Sequence, residues 1–227
     1  MKHFWLNKKN NKSLILFFNG WSVDENPFTT MNCNDFDVLM FCDYSFLEIP
    51  SELLKEMGKY SEINLIAWSM GAFTAYFLKD KLPELKQKIA VNGTPFPIDN
   101  DFGIPVRNFE ITLKNAHISL NGKFYKNMFI SEVDCEKFML TKPKRSLENQ
   151  VHELVELKNI ITNSKINYEK FFDFAIISSG DIIIPYKNQL NFWDGKVDFK
   201  IVESGHFPFY NWNSWEQILL CNQKIQI

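Results

Sequence analysis

Three short stretches carry residue types that can act together. Ser69 lies in Ala67-Trp68-Ser69-Met70-Gly71, Asp181 in Ser178-Ser179-Gly180-Asp181, and His206 in Gly205-His206-Phe207-Pro208. A serine hydroxyl is a poor nucleophile at neutral pH, so a base must take its proton as it attacks. Histidine suits that role because its pKa lies near neutrality. A carboxylate on the second ring nitrogen fixes the tautomer and stabilises the imidazolium. Together the three would support acyl transfer through a covalent serine intermediate. Each alone has a plainer use: an ordinary strand-to-helix turn, a turn-capping aspartate, a loop histidine. Their joint occurrence in the order Ser, Asp, His, each just past an apolar run, favours the chemical reading.

Such a set has to be positioned by strand ends, because functional groups of open α/β sheets gather at the carboxyl ends of strands. The segment Asn64-Leu65-Ile66-Ala67-Trp68-Ser69-Met70-Gly71-Ala72-Phe73-Thr74 begins apolar and ends rich in small residues. It reads as a strand over 63–67, a sharp turn presenting Ser69, and a helix over about 71–79. Small residues must flank the nucleophile in such an elbow, and Ala67, Gly71 and Ala72 meet that need. The usual pattern is Gly-x-Ser-x-Gly, so Ala67 is a departure that bears on the elbow's geometry. Backbone N–H groups must also face the oxygen that becomes negative. Met70, after the serine, is one expected donor. Trp21, in Asn19-Gly20-Trp21 after an early strand, is the other.

The remaining elements follow the same rhythm. Residues 2–6 and 13–18 read as a hairpin across the polar tract 7–12. The runs 14–18 and 37–42 are continuous rather than alternating, as in strands buried on both faces. A helix over 51–60 and strands over 88–92, 172–178 and 197–202 are expected, with helices over 186–193 and 212–224. Between residues 96 and 170 the strand pattern stops. Helical segments replace it, the clearest being 146–162, capped by Ser146 with an apolar stripe through Leu147, Val151, Leu154, Val155 and Leu157. The expected fold is therefore α/β: a mainly parallel sheet of about seven strands flanked by helices, with a helical cap insertion. The core is expected to span residues 1–95 and 171–227, and the insertion 96–170.

Composition sets the outer limits. A chain of 227 residues with 45% hydrophobic and 23% charged residues is of globular type. A net charge of -2 argues against a nucleic-acid partner. Four cysteines, Cys33, Cys42, Cys135 and Cys221, make no C-x-x-C pair and are expected to be reduced thiols. No apolar run is long enough to cross a bilayer and no cleavable leader is visible, so the expected location is cytoplasmic, away from membranes. His3, His117 and His152 lie in segments without partner residues, and neither a metal site nor a cofactor is expected.

Phe18-Asn19-Gly20-Trp21, Phe41-Cys42-Asp43-Tyr44, Ala67-Trp68-Ser69-Met70-Gly71 and Gly205-His206-Phe207-Pro208 resemble motifs of a compact α/β-hydrolase family of biotin synthesis, the pimeloyl-[acyl-carrier protein] methyl ester esterases. The resemblance runs through nearly the whole chain. It extends more loosely to the longer esterase that does the same work in other bacteria. It implies hydrolysis of the methyl ester of pimeloyl-[acyl-carrier protein], with Ser69, Asp181 and His206 as the triad and Trp21 at the substrate. The alternatives are a general small-ester carboxylesterase or an acyltransferase on the same fold, and a catalytically silent fold used for binding. The longer esterase has a cap segment Phe-x-x-x-Gln beside its acyl site. Residues 124–128 are the nearest match, with Phe124 in place and Met128 where glutamine would be. Acyl-carrier proteins are acidic, and residues 107–145 hold eight basic against four acidic side chains. Lys123, Lys142, Lys144 and Arg145 are accordingly expected to dock the carrier.

Overall fold

The computed structural model describes residues 1–120 and 122–222. Its centre is a sheet of seven strands: β1 (Lys2–Asn7), β2 (Ser13–Phe18), β3 (Phe36–Cys42), β4 (Glu62–Trp68), β5 (Gln87–Val91), β6 (Phe174–Ser178) and β7 (Asp198–Val202). They lie in the order β1-β3-β2-β4-β5-β6-β7, all parallel except β1. The eight helices among the described residues are α1 (Ser51–Met57), α2 (Met70–Phe77), α3 (Val106–Ser119), α4 (Lys123–Lys126), α5 (Glu132–Leu140), α6 (Leu147–Asn163), α7 (Tyr186–Trp193) and α8 (Trp215–Leu220). The architecture is the α/β-hydrolase-like one read from the sequence, with α3 to α6 all falling between β5 and β6. None of the described helices is long and apolar enough to cross a membrane.

Continuous apolar runs became central strands. Leu14 through Phe18 and Val38 through Phe41 are wholly buried, and β2 has β3 on one side and β4 on the other. That position excludes the expected hairpin. β1 pairs antiparallel with β3, not with β2. Asp37 at the start of β3 explains the detour: its Oδ1 accepts the backbone N–H groups of Lys9 at 2.8 Å and Asn11 at 3.2 Å. The polar tract is thereby held across the strand ends, and the half-exposed β1 forms the sheet edge.

Helix boundaries shifted where local chemistry decided. The first helix ends at Met57 because Gly58 closes it, short of the expected Tyr60. The last helix starts at Trp215, after a short turn over Phe209–Asn211, and the expected end at Lys224 lies outside the described residues. Ser146 caps α6 by accepting the Asn149 N–H at 3.2 Å, which contributes about 1 kcal/mol. On α6 the buried positions are Gln150, Glu153, Leu154 and Leu157, whereas Val155 faces solvent. Two polar side chains thus occupy the face read as apolar.

Part of the aromatic content gathers around Trp68, the last residue of β4. Trp68, Phe207, Phe209, Phe28, Phe17 and Trp215 form a continuous cluster with ring centroids 4.7–6.4 Å apart. Offset and edge-on pairs of this kind contribute roughly 0.5–1.5 kcal/mol each beyond their buried area. The cluster anchors the segment that follows His206.

Candidate active site

The carboxyl end of β4 delivers Ser69 at φ 57°, ψ −125°, a conformation a non-glycine residue holds only under constraint. Its own N–H donates to the Val91 carbonyl at 3.0 Å, and α2 begins at the next residue. The turn is crowded at two glycines. A Cβ at Gly71 would lie 2.1 Å from the Phe18 carbonyl oxygen, and one at Gly93 would lie 2.5 Å from the Ser69 carbonyl oxygen. Ala67 stands in register between Phe18 and Ala90 and is fully buried without disturbing that turn. The crowding therefore falls after the serine, not before it.

The structure brings the three sequence-read residues together. His206 Nε2 lies 2.8 Å from Ser69 Oγ, and His206 Nδ1 lies 2.8 Å from Asp181 Oδ2. All three are at least 95% buried. Asp181 is saturated with donors: Gln189 Nε2 also reaches Oδ2 at 2.9 Å, and the N–H groups of Ile183 and Ile184 reach Oδ1 at 2.9 and 3.1 Å. These donors fix the carboxylate in place beside the imidazole. The geometry can transfer the Ser69 proton to His206 as the oxygen attacks a carbonyl.

Two further residues, Trp68 of the elbow motif and Asn92, hold the histidine from behind. The His206 carbonyl accepts the Trp68 indole N–H at 2.8 Å and the Asn92 amide at 3.0 Å. Asn92, fully buried at φ 44°, also donates to Ser178 Oγ at 2.8 Å and the Gly205 carbonyl at 3.2 Å, and accepts the Ser178 N–H at 2.7 Å. One side chain therefore braces the strand before Asp181 and the loop of His206. Its position ahead of Gly93 hinted only at a turn.

Neither the Trp21 nor the Met70 backbone N–H has a hydrogen-bond acceptor among the described residues. Buried donors without acceptors are uncommon and mark places where a ligand oxygen fits. Both residues line a cavity of about 240 Å³ that reaches Ser69 and His206. Its other walls come from α3, Phe124, Met128 and Leu154. Phe124 packs edge-on against Trp21 with centroids 4.9 Å apart. Met128 supplies a thioether, so the wall is more apolar than a glutamine would make it. A surface groove lined by Asn115, Ile118, Ser119 and Lys123 shares Ile111, Thr112, Phe124 and Asn127 with the cavity. The cavity thus opens between α3 and α4.

The basic residues separate into different settings. Lys123 is exposed and borders that groove. Lys142 and Lys144 are exposed on the segment leading into α6 and line neither the cavity nor the groove. Arg145 is a correction to the sequence reading. Its side chain is only 8% exposed and pairs with Glu153 at 2.7 Å and Asp43 at 3.5 Å, so it is committed internally and cannot present its charge to a partner. His3, His117 and His152 are exposed and away from the cavity. Cys42 is buried, and desolvation pushes its thiol up to about 12, which keeps it neutral.

A family model described as pimeloyl-ACP methyl esterase BioG matches residues 1–218. A malonyl-[acyl-carrier protein] O-methyltransferase of Bacteroides fragilis is 39% identical over 184 residues, covering 80% of this chain but 36% of that protein. The chain spans just over a third of that relative's length. An uncharacterized protein of Haemophilus influenzae is 30% identical over 206 residues, 90% of this chain and 93% of its own. The crystal structure of SeMet-BioG from Haemophilus influenzae is similar at TM-score 0.87 and 29% identity, covering 96% of this chain and 99% of that one. An esterase from Exiguobacterium antarcticum, 13% identical with a TM-score of 0.66 over 97% of this chain and 91% of its own, shares the fold. The chain belongs to the BioG family.

Proposed function

We propose that this member of the family is a serine carboxylesterase that removes the methyl group from pimeloyl-[acyl-carrier protein] methyl ester, releasing methanol, in biotin biosynthesis. Ser69 attacks the ester carbonyl while His206 takes its proton, and Asp181 holds the imidazolium. The negative oxygen is received by the Trp21 and Met70 N–H groups. His206 then protonates the departing methoxide, and the acyl group remains on Ser69. Water, deprotonated by His206, releases the acid and restores the serine. The observation that carries this reading is the 2.8 Å spacing on both sides of the His206 ring, beside an apolar cavity.

The apolar wall suits the substrate's chemistry. A methyl ester can be buried there with little penalty, whereas the product carboxylate loses hydration and is expelled. Residues 96–170 act as a cap, and the acyl chain runs from Ser69 past Phe124 and out between α3 and α4. An acidic carrier protein then sits over that opening, with Lys123 beside its prosthetic arm and Lys142 and Lys144 contributing only longer-range attraction. The site is proposed to work in the cytoplasm without metal or cofactor.

The test combines one probe and one substrate. A fluorophosphonate should label Ser69 stoichiometrically, and the protein should release methanol from the carrier-bound methyl ester and restore biotin-independent growth to an esterase-deficient bacterium. Ser69→Ala should abolish all three. Turnover of a simple aryl ester without any release from the carrier-bound ester would favour a general small-ester carboxylesterase. Undiminished turnover by Ser69→Ala would remove the serine mechanism altogether.

A further inference from the structure

A buried carboxylate on α6 reaches the loop that carries Trp21. Glu153 is fully buried, and burial pushes its carboxyl above the ordinary range even against the pull of the Arg145 charge. Its Oε1 accepts the Tyr44 N–H at 2.9 Å, and its Oε2 accepts the Ser22 N–H at 3.3 Å. Arg145 pairs with it at 2.7 Å and with Asp43 at 3.5 Å, while Asn149 Nδ2 donates to Asp43 at 2.9 Å. One turn earlier on the helix, the Gln150 carbonyl accepts the Trp21 indole N–H at 2.8 Å. From the core side, the Tyr44 hydroxyl donates to the Asn19 carbonyl at 2.7 Å. Residues 19–22 are thus gripped at both ends, and Ser22 is held at φ 71°.

Anchoring a helix does not call for a buried ion pair, since apolar residues of similar volume do that at least as well. A carboxylate can do what they cannot, which is to accept backbone N–H groups from two separate loops at once. We infer that Glu153, oriented by Arg145 and Asp43, is a positioning residue for the oxyanion site, fixing Ser22 and Tyr44 so that the Trp21 N–H points at the substrate oxygen. This rests on the serine-esterase reading above. It also accounts for Asp43 and Tyr44 of the Phe41-Cys42-Asp43-Tyr44 motif, which form the socket into which α6 plugs.

The full chain is assayed on a short aryl ester, which needs no carrier protein. Glu153→Gln should lower kcat by about ten- to a hundredfold with KM little changed, because one oxyanion donor is displaced rather than removed. Affinity for a trifluoromethyl ketone, which forms a tetrahedral adduct, should fall by the same factor. Wild-type kcat in a folded Glu153→Gln protein, or a kcat loss without a matching loss of adduct affinity, overturns the inference. If that variant does not fold, the Arg145→Met/Glu153→Met double variant removes both charges together. Restored stability with turnover still depressed supports the positioning role, whereas restored stability with restored turnover makes the pair merely structural. Ser69→Ala, run alongside, separates the two levels: if it retains turnover, the underlying serine reading has failed instead.

Discussion

His206 and Trp21 both border the cavity at Ser69, yet they are held in contrasting ways. The histidine is secured mainly from the sheet, where Trp68 ends β4 and Asn92 follows β5, and the Met128 carbonyl beyond α4 accepts the neighbouring Phe207 N–H at 3.2 Å. The tryptophan loop is secured from two sides, by Phe41 and Tyr44 at Asn19 and by Gln150 and Glu153, more than a hundred residues further along, at Trp21 and Ser22. The proposed proton-transfer apparatus therefore rests on the sheet and on the Met128 carbonyl, not on α6. The proposed oxyanion apparatus is shared between the core and α6. A perturbation of α6 should leave one intact and loosen the other.

Three substitutions test that division, in falling order of effect. Asn92→Asp would set a carboxylate against the Gly205 and His206 carbonyls in place of an amide donor. A displacement of the histidine by even about an ångström lowers kcat by about a hundredfold, so aryl-ester kcat should fall by that order. A loss under about threefold would show that the sheet does not govern the histidine. Trp21→Phe keeps the backbone N–H but removes the indole bond to Gln150. One such bond is worth about 1 kcal/mol, so kcat should drop roughly three- to tenfold. The fluorophosphonate should still label every serine nucleophile. An effect as large as that of Asn92→Asp would erase the contrast.

The third concerns pH. Although burial pushes the Asp43 carboxyl up, hydrogen bonds from Asn149, Ser45 and Lys2 and the Arg145 charge prevail, and its pKa falls from 3.8 to about 2. A depressed carboxylate stabilises the fold above its unfolded pKa and loses that contribution as pH falls through the folded one. Asp43→Asn should therefore be less stable than the wild type at neutral pH in urea unfolding. The gap should close as pH is lowered from about 4 to about 2. A gap independent of pH would mean that the socket works by shape rather than charge.

What could be read in the sequence was what neighbours in the chain decide. The runs 14–18 and 37–42 declared themselves as buried strands because water is excluded from both faces. Ser69, Asp181 and His206 each stand on a local strand-end signature, so their convergence followed from the parallel sheet. Pairing partners were less legible. The hairpin reading failed because Asp37 redirects residues 7–12, and nothing near β1 announces that capture. Arg145 looked like one more cation in Lys142-Pro143-Lys144-Arg145, and only its pairing with Asp43, distant in sequence, and with Glu153 on α6 sets it apart. Glu153 itself sat in a helix whose stripe pointed to Val155. Asn92 and Gln189 act on groups 86 to 114 and 8 residues away, through contacts that no spacing rule encodes.

The grip of α6 on residues 19–22 also bears on how such a protein can be re-engineered. Residues 96–170 are one uninterrupted segment, which invites exchange with the corresponding segment of another hydrolase. A graft that lined the new cavity well but moved the backbone carbonyl now at Gln150 and lacked a carboxylate in place of Glu153 would leave the Trp21 loop untethered. Chimaeras of this scaffold should be drawn so that α6 travels with residues 19–23 and 41–45, as one inherited unit.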